Sequence, residues 1–256
     1  MSLAVSWQTK MDYVFFMYGM AFILLAAVCF VLTRREARTL PWVWLGAFGL
    51  IHGLSEWGDL LAIELGDSTA FGAFRVGLMT LSFLCLAEFG RAGMGTLRGR
   101  TQGRWIFLPL LGAALMGGLA GIAGFNAACR YSLGFVGGLW AASVFLLHGW
   151  RARDDARSLW TAALFMAAYA ACTGLVVPEA GFYPASALNQ TFFLNVFGVP
   201  VQLLRALCAV GVTAAIWVYS ERRHDRVMVG AGLPVRGYHP LYVAAFLAAI
   251  LACGWV

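Results

Sequence analysis

The sequence predicts an all-α integral membrane protein, a seven-helix bundle followed by an additional eighth transmembrane helix. Three observations carry that prediction. The 256-residue chain is 61% hydrophobic and 12% charged, with a mean hydropathy of +0.78, whereas a soluble domain carries roughly 25% charged residues. Its apolar runs reach the ~20 residues that a helix needs to cross a bilayer. Its basic residues, all arginine except Lys10, gather in alternate loops.

Taken in order, the predicted helices cover 12–33, 41–65, 69–90, 105–125, 127–149, 157–177, 195–219 and 239–256. The first is too long for the apolar region of a signal peptide and lacks a basic start. The fourth and fifth carry Gly117, Gly121, Gly134 and Gly138, small residues four apart that let helix backbones approach closely in lipid. They are expected to form a tight hairpin turning near Asn126. In the seventh, Pro200 withholds a donor from the carbonyl near Val196 and is expected to kink the helix. Residues 1–220 therefore read as the bundle, 221–238 as a basic cytoplasmic linker and 239–256 as the eighth helix. The abrupt apolar end at "LACGWV" reads as an interrupted chain, with a longer protein expected beyond it.

Arginine placement orients the bundle. The odd loops hold Arg34, Arg35 and Arg38; then Arg91, Arg98, Arg100 and Arg104; then Arg151, Arg153 and Arg157; then Arg222, Arg223, Arg226 and Arg236. The even loops are "GDST", a turn with Arg130 alone nearby, and the arginine-free "PEAGFYPASALNQTFF". Short cytoplasmic loops carry the excess of positive charge, so the N-terminus and C-terminus are placed outside and the odd loops in the cytoplasm. The same placement explains the net charge of +6 without a nucleic-acid partner. The expected partners are the lipid bilayer and a small ligand, and a homodimer is compatible with the pattern. The cysteines form no CxxC pair and read as small apolar residues.

Polar chemistry concentrates on the second helix. In "GLIHGLSEWGDLL", His52, Glu56 and Asp59 are spaced i, i+4, i+7 and share one face. Charge at membrane depth is costly and turns toward protein or water, so partners are expected at matching depths. At ~1.5 Å rise per residue, Arg75 of the third helix falls near Asp59, and Arg205 and Gln202 of the seventh fall near His52 and Glu56. Pairs Glu56–Arg205 and Asp59–Arg75 are expected. The network serves equally well as an interhelical clamp or as a signal-reading site. The loop residues Phe182, Tyr183, Asn189 and Gln190 form a candidate lid over the outer mouth, or an ordinary interfacial connector.

Other chemistries fit poorly. His148 lies too far along the bundle from His52 to share one haem with it. No lysine stands within the bundle for a retinal Schiff base. Ser55 has no glycine-framed serine motif opposite it. His52 and Glu56 supply half a metal site at most. No cofactor, metal or catalytic residue is predicted.

"FGLIHGLSEWGDLL" and "FYPASALNQTFFLNVFGVPVQLLRALCAV" together resemble the N-terminal membrane sensor region of bacterial multidomain signalling proteins of the sensor histidine kinase and diguanylate cyclase type. The resemblance spans the seven-helix part, and its specific elements are HGxxEW and PxQLxR. It implies a sensory input module in a bacterial inner membrane, responding to a small molecule, a proton or a membrane-borne signal, with His52, Glu56, Trp57, Gln202 and Arg205 as the polar core. The chain itself carries no kinase or cyclase motif, which departs from the multidomain pattern. The alternatives are a solute or ion transporter or channel, for which no inverted repeat is evident, and a membrane enzyme or cofactor-binding redox protein.

The topology is open to direct test. In a background stripped of native cysteines, a cysteine placed beside Arg98 is expected to resist an impermeant thiol reagent added to intact cells; labelling there refutes the orientation.

Overall fold

The computed structural model describes residues 10–36 and 39–231. The predicted eighth helix lies outside these residues, as does the end of the predicted linker. The described chain is all-helical: α1 (Met11–Arg35), α2 (Trp42–Leu65), α3 (Thr69–Arg98), α4 (Phe107–Gly117), α5 (Gly121–Cys129), α6 (Val136–Arg151), α7 (Ala156–Gly174), α8 (Gln190–Phe197) and α9 (Val201–Gly230). A π-helical turn at Arg130–Phe135 joins α5 to α6 without a break.

Local chemistry explains the boundaries. Ser68 caps α3 by accepting the Phe71 N–H, and Gly99 ends the helix in the left-handed conformation, which an L side chain resists. Asn189 caps α8 by accepting the Phe192 N–H at 2.9 Å. Gly198 then closes α8 with φ +70°, and Pro200 precedes the first residue of α9. The expected proline kink is therefore a full break between two helices: a left-handed glycine and a proline two residues later end one helix and start the next. α9 in turn continues to Gly230, so the first half of the predicted linker is helical.

Six rods close into a ring. α1 packs on α2, α2 on α3, α3 on α6, α6 on α7, α7 on α9, and α9 back on α1. α4 stands outside this ring and packs on α5 and the π turn. Much of its surface faces outward, with Leu108 70% and Leu115 67% exposed, while Ala114 is buried. Four stretches are long and apolar enough to cross a membrane: Met11–Arg35, Thr69–Arg98, Arg104–Arg151, which includes the turn at Gly121, and Val201–Gly230. This points to membrane association. α2 is not among them, because its polar face lowers its hydropathy. α1, α3, α6 and α9 run in one direction and α2 and α7 in the other, as the facing pairs Gly90–Trp140 and Gly93–Val144 show for α3 and α6, so Arg34, Arg35, Arg98, Arg151, Arg222, Arg223 and Arg226 collect at one end of the bundle, the arginine-rich end.

The α4–α5 hairpin corrects the expected turn. It reverses at Gly121, with φ +79°, five residues before Asn126. Gly117 faces Gly124 and Ala128 across the hairpin, while Gly134 lies against Phe83 and Thr173, and Gly138 against Ala170. The second glycine pair thus serves contacts with α3 and α7 rather than with α4. At the α1–α2 crossing, a Cβ at Gly49 would stand 2.7 Å from the Phe22 carbonyl oxygen, and one at Gly53 2.8 Å from that of Gly19. Only glycine allows these backbones so near.

Substitution should separate close approach from mere flexibility. A Cβ at Gly124 would stand 2.7 Å from that of Ala120, whereas Gly112 has nothing within 4 Å. Gly124→Val is expected to lower stability by about 1–3 kcal/mol through overpacking, and Gly112→Ala to change it by less than about 0.5 kcal/mol. Thermal unfolding of the purified protein checks both.

Candidate functional site

His52 is fully buried where α2 faces α3 and α7. Phe22, Phe48 and Phe83 surround its ring, with centroids 4.7, 5.2 and 5.2 Å away. The Ser82 hydroxyl donates to the Met79 carbonyl at 2.6 Å, so its oxygen is left to accept from His52 Nδ1 at 2.9 Å. That pattern assigns a proton to Nδ1. Nε2 then faces the Tyr169 hydroxyl at 2.9 Å and the Tyr18 hydroxyl at 3.5 Å. Glu56 Oε1, one turn along α2, lies 3.3 Å from the same nitrogen. A carboxylate and an imidazole lone pair repel one another, so this contact is favourable only when a proton is held between Glu56 and His52.

The expected Glu56–Arg205 pair is not formed. Arg205, 1% exposed, donates Nε and Nη2 to the Cys172 carbonyl at 3.1 and 2.9 Å, and Nη2 also to the Val176 carbonyl. The reason is local. α7 ends at Gly174, its last carbonyls lack intrahelical partners, and a buried guanidinium supplies the missing donors. The expected Asp59–Arg75 pair is formed, and Arg75 also binds Asp67 of the α2–α3 loop. Ser55 donates to the Arg75 carbonyl at 3.2 Å, which ties α2 to α3 beside this triad.

Two adjoining cavities open at the arginine-poor end. One of about 470 Å³ lies between α2, α3 and α5. The other, about 340 Å³, extends toward α9 and is bordered by Glu56, Gln190, Gln202 and Arg205. Asp59, Asp67, Arg75, Asn126, Arg130 and Pro178 border both. Gln202 donates to Gln190 at 3.2 Å and so links α9 to α8. Arg130, 6% exposed, donates Nε to Asn126 Oδ1 at 2.8 Å. With the turn expected near Asn126, the sequence puts Arg130 beside a loop. A helix starting at Gly121 puts Asn126 and Arg130 one turn apart on one face, and that face looks into the cavities.

The four candidate lid residues separate. Gln190 borders the polar cavity, and Asn189 is committed to capping α8. Phe182 and Tyr183 border a different, apolar cavity of about 700 Å³ together with Met116, Leu119 and Tyr131. Of the other two members of the expected polar core, His52 sits below the cavities, and the Trp57 indole donates to the Phe16 carbonyl at 3.2 Å. Among the described residues, no three His, Cys, Asp or Glu side chains gather as a metal site.

A second polar network stands at the arginine-rich end. Arg223 pairs with Glu36 at 2.7 Å, Tyr219 donates to Glu36 at 3.1 Å, and Arg226 pairs with Asp154 and Asp155. Arg91 holds Glu88 through two bonds of 2.6 and 2.7 Å. In the sequence these arginines read as topology signals alone. Their spacing gives no sign of Glu36 and Asp155 as partners, because those contacts join distant parts of the chain. No family model, curated protein or solved structure matches this chain.

The two tyrosines on Nε2 differ in bond length and should differ in effect. Tyr169→Phe, which removes a 2.9 Å bond, is expected to cost about 1–2 kcal/mol. Tyr18→Phe, at 3.5 Å, is expected to cost less than half of that. Equal losses in thermal or denaturant unfolding refute this assignment of the His52 hydrogen bonds.

Proposed function

We propose that this chain is a multi-pass sensory input module of a bacterial inner-membrane signalling protein. Its N-terminus lies outside, seven helices are joined by an eighth, and a small ligand in the polar cavities sets the signalling state. The resemblance of the HGxxEW and PxQLxR elements to sensor regions supports this reading.

The observation that carries it is the course of α9. One unbroken helix runs from Gln202 and Arg205 at the cavity to Tyr219, Arg223 and Arg226 in the far network. Arg205 and Arg226 are about 30 Å apart along it at 1.5 Å per residue. A ligand acts on such an element only through contacts that differ between two states. Gln202 and Arg205 are placed to make such contacts, and the bonds of Glu36 and Asp155 to α9 are placed to change in response.

The transporter reading draws on the same cavities. Against it stands the packing toward the arginine-rich end, where Trp42, Phe89, Phe145 and Tyr219 are buried and their rings meet at 5.4–6.3 Å. Such a layer favours a site that is occupied and read over one that is passed through.

Coupling along α9 is testable without knowing the ligand. Gln202→Ala opens the link to Gln190 without stranding a buried charge, and is expected to change hydrogen–deuterium exchange over residues 219–230 as well as near the cavity. Unchanged exchange at the far end, with local change near residue 202, removes the support for signalling through α9.

A further inference from the structure

We propose that the cavity between α2, α5 and α9 is an oxyanion-binding site, taking a single carboxylate or phosphate group between Arg130 and Arg205. The proposal rests on the ligand-reading role given to the cavity above and adds the chemical class of what it holds. The argument starts from unanswered donors. Arg130 is 6% exposed and uses Nε on Asn126, while its Nη1 is buried with no hydrogen-bond partner. Arg205 is 1% exposed and uses Nε and Nη2 on carbonyls, which leaves its Nη1 without a hydrogen bond among the described residues. Both side chains border the 340 Å³ cavity.

Charge points the same way. Three guanidinium groups border that cavity, but they are not equivalent. Arg75 is answered by two carboxylates, Asp59 and Asp67. Arg130 and Arg205 have only neutral partners, an amide and carbonyls. Glu56 faces the same space, yet its carboxyl group is turned to His52 at 3.3 Å. A proton held between Glu56 and His52 leaves that pair without net charge, so three guanidinium groups face two carboxylates, Asp59 and Asp67, around the cavity, in an interior where charge is stable only when paired. One further negative group restores the balance. Guanidinium donors on nearly buried side chains favour an oxyanion, which accepts several N–H bonds at once, over a halide ion, which offers no matching fork.

The oxyanion has two sources, a free solute or the head group of an anionic lipid, and one experiment separates them. The whole protein is placed in nanodiscs of phosphatidylcholine, and its thermal midpoint is followed with acetate or inorganic phosphate against chloride at matched ionic strength. It is then followed in discs containing phosphatidylglycerol without added anion. A saturable rise with acetate or phosphate beyond chloride is expected, with apparent affinity about tenfold or more weaker in R130Q and partly restored in R130K. An Arg130-dependent rise confined to phosphatidylglycerol discs supports the site and names the lipid as its source. A rise from neither source, or one that R130Q leaves intact, overturns the proposal. Hydrogen exchange over residues 219–230 in the same samples keeps the two readings apart. Arg130-dependent binding without change there supports the site and counts against signalling through α9. A change there driven only by neutral or cationic solutes does the reverse.

Discussion

One constraint organises the interior: α2 carries His52, Glu56 and Asp59 into the bundle, and each must be answered at its own depth by a neighbouring helix. The answers differ by level. Nearest the arginine-poor end, Asp59 meets Arg75, a full ion pair at side chains 29% and 16% exposed. One turn further in, Glu56 turns to the imidazole of its own helix. Deepest, His52 meets hydroxyl groups and aromatic faces, with no charged partner except Glu56. The gradient follows the rising cost of charge away from water: ion pairs where some solvent reaches, hydrogen-bonded neutral groups where none does.

Arg205 is the exception that shows the rule. It is nearly inaccessible to solvent, and it answers no carboxylate. Its partners are carbonyls that α7 leaves behind where it ends, so two costs offset each other, an unpaired cation and an uncapped helix terminus. That arrangement fixes α9 against α7 at cavity depth. A change in what Arg205 faces is therefore also a change in how α7 ends, and through α7 it reaches Tyr169 and the imidazole.

Much of this was legible in the residues. The spacing of His52, Glu56 and Asp59 located the polar face, and depth matching found the Asp59–Arg75 pair. What escaped has physical reasons. The turn at Gly121 lies in a glycine-rich apolar run whose pattern suits a helix on either side, and displacing it by five residues moved Arg130 from the interior to a loop. The acceptors of Arg205 are backbone carbonyls, which no side-chain pattern reveals. Tyr18, Tyr169 and Ser82 sit in apolar runs where a hydroxyl looks like any other small interruption, and only the meeting of three helices shows that they converge on one imidazole.

The two polar networks lie at opposite ends of the bundle, and the packing between them decides whether they act as one. Between Arg205 and Tyr219, α9 buries Ala206, Ala209, Val212, Ala215 and Ile216 against its neighbours, with Thr213 donating to the Ala21 carbonyl at 3.3 Å. Small side chains on this face let α9 slide or turn against α1 and α7 more readily than interlocked large ones would, because fewer rotamers must change. The ends, by contrast, are held by directional bonds, to Cys172 and Val176 on one side and to Glu36 and Asp155 on the other. On the sensory reading proposed above, two states of α9 would differ in the bonds at its ends rather than in the apolar packing between them.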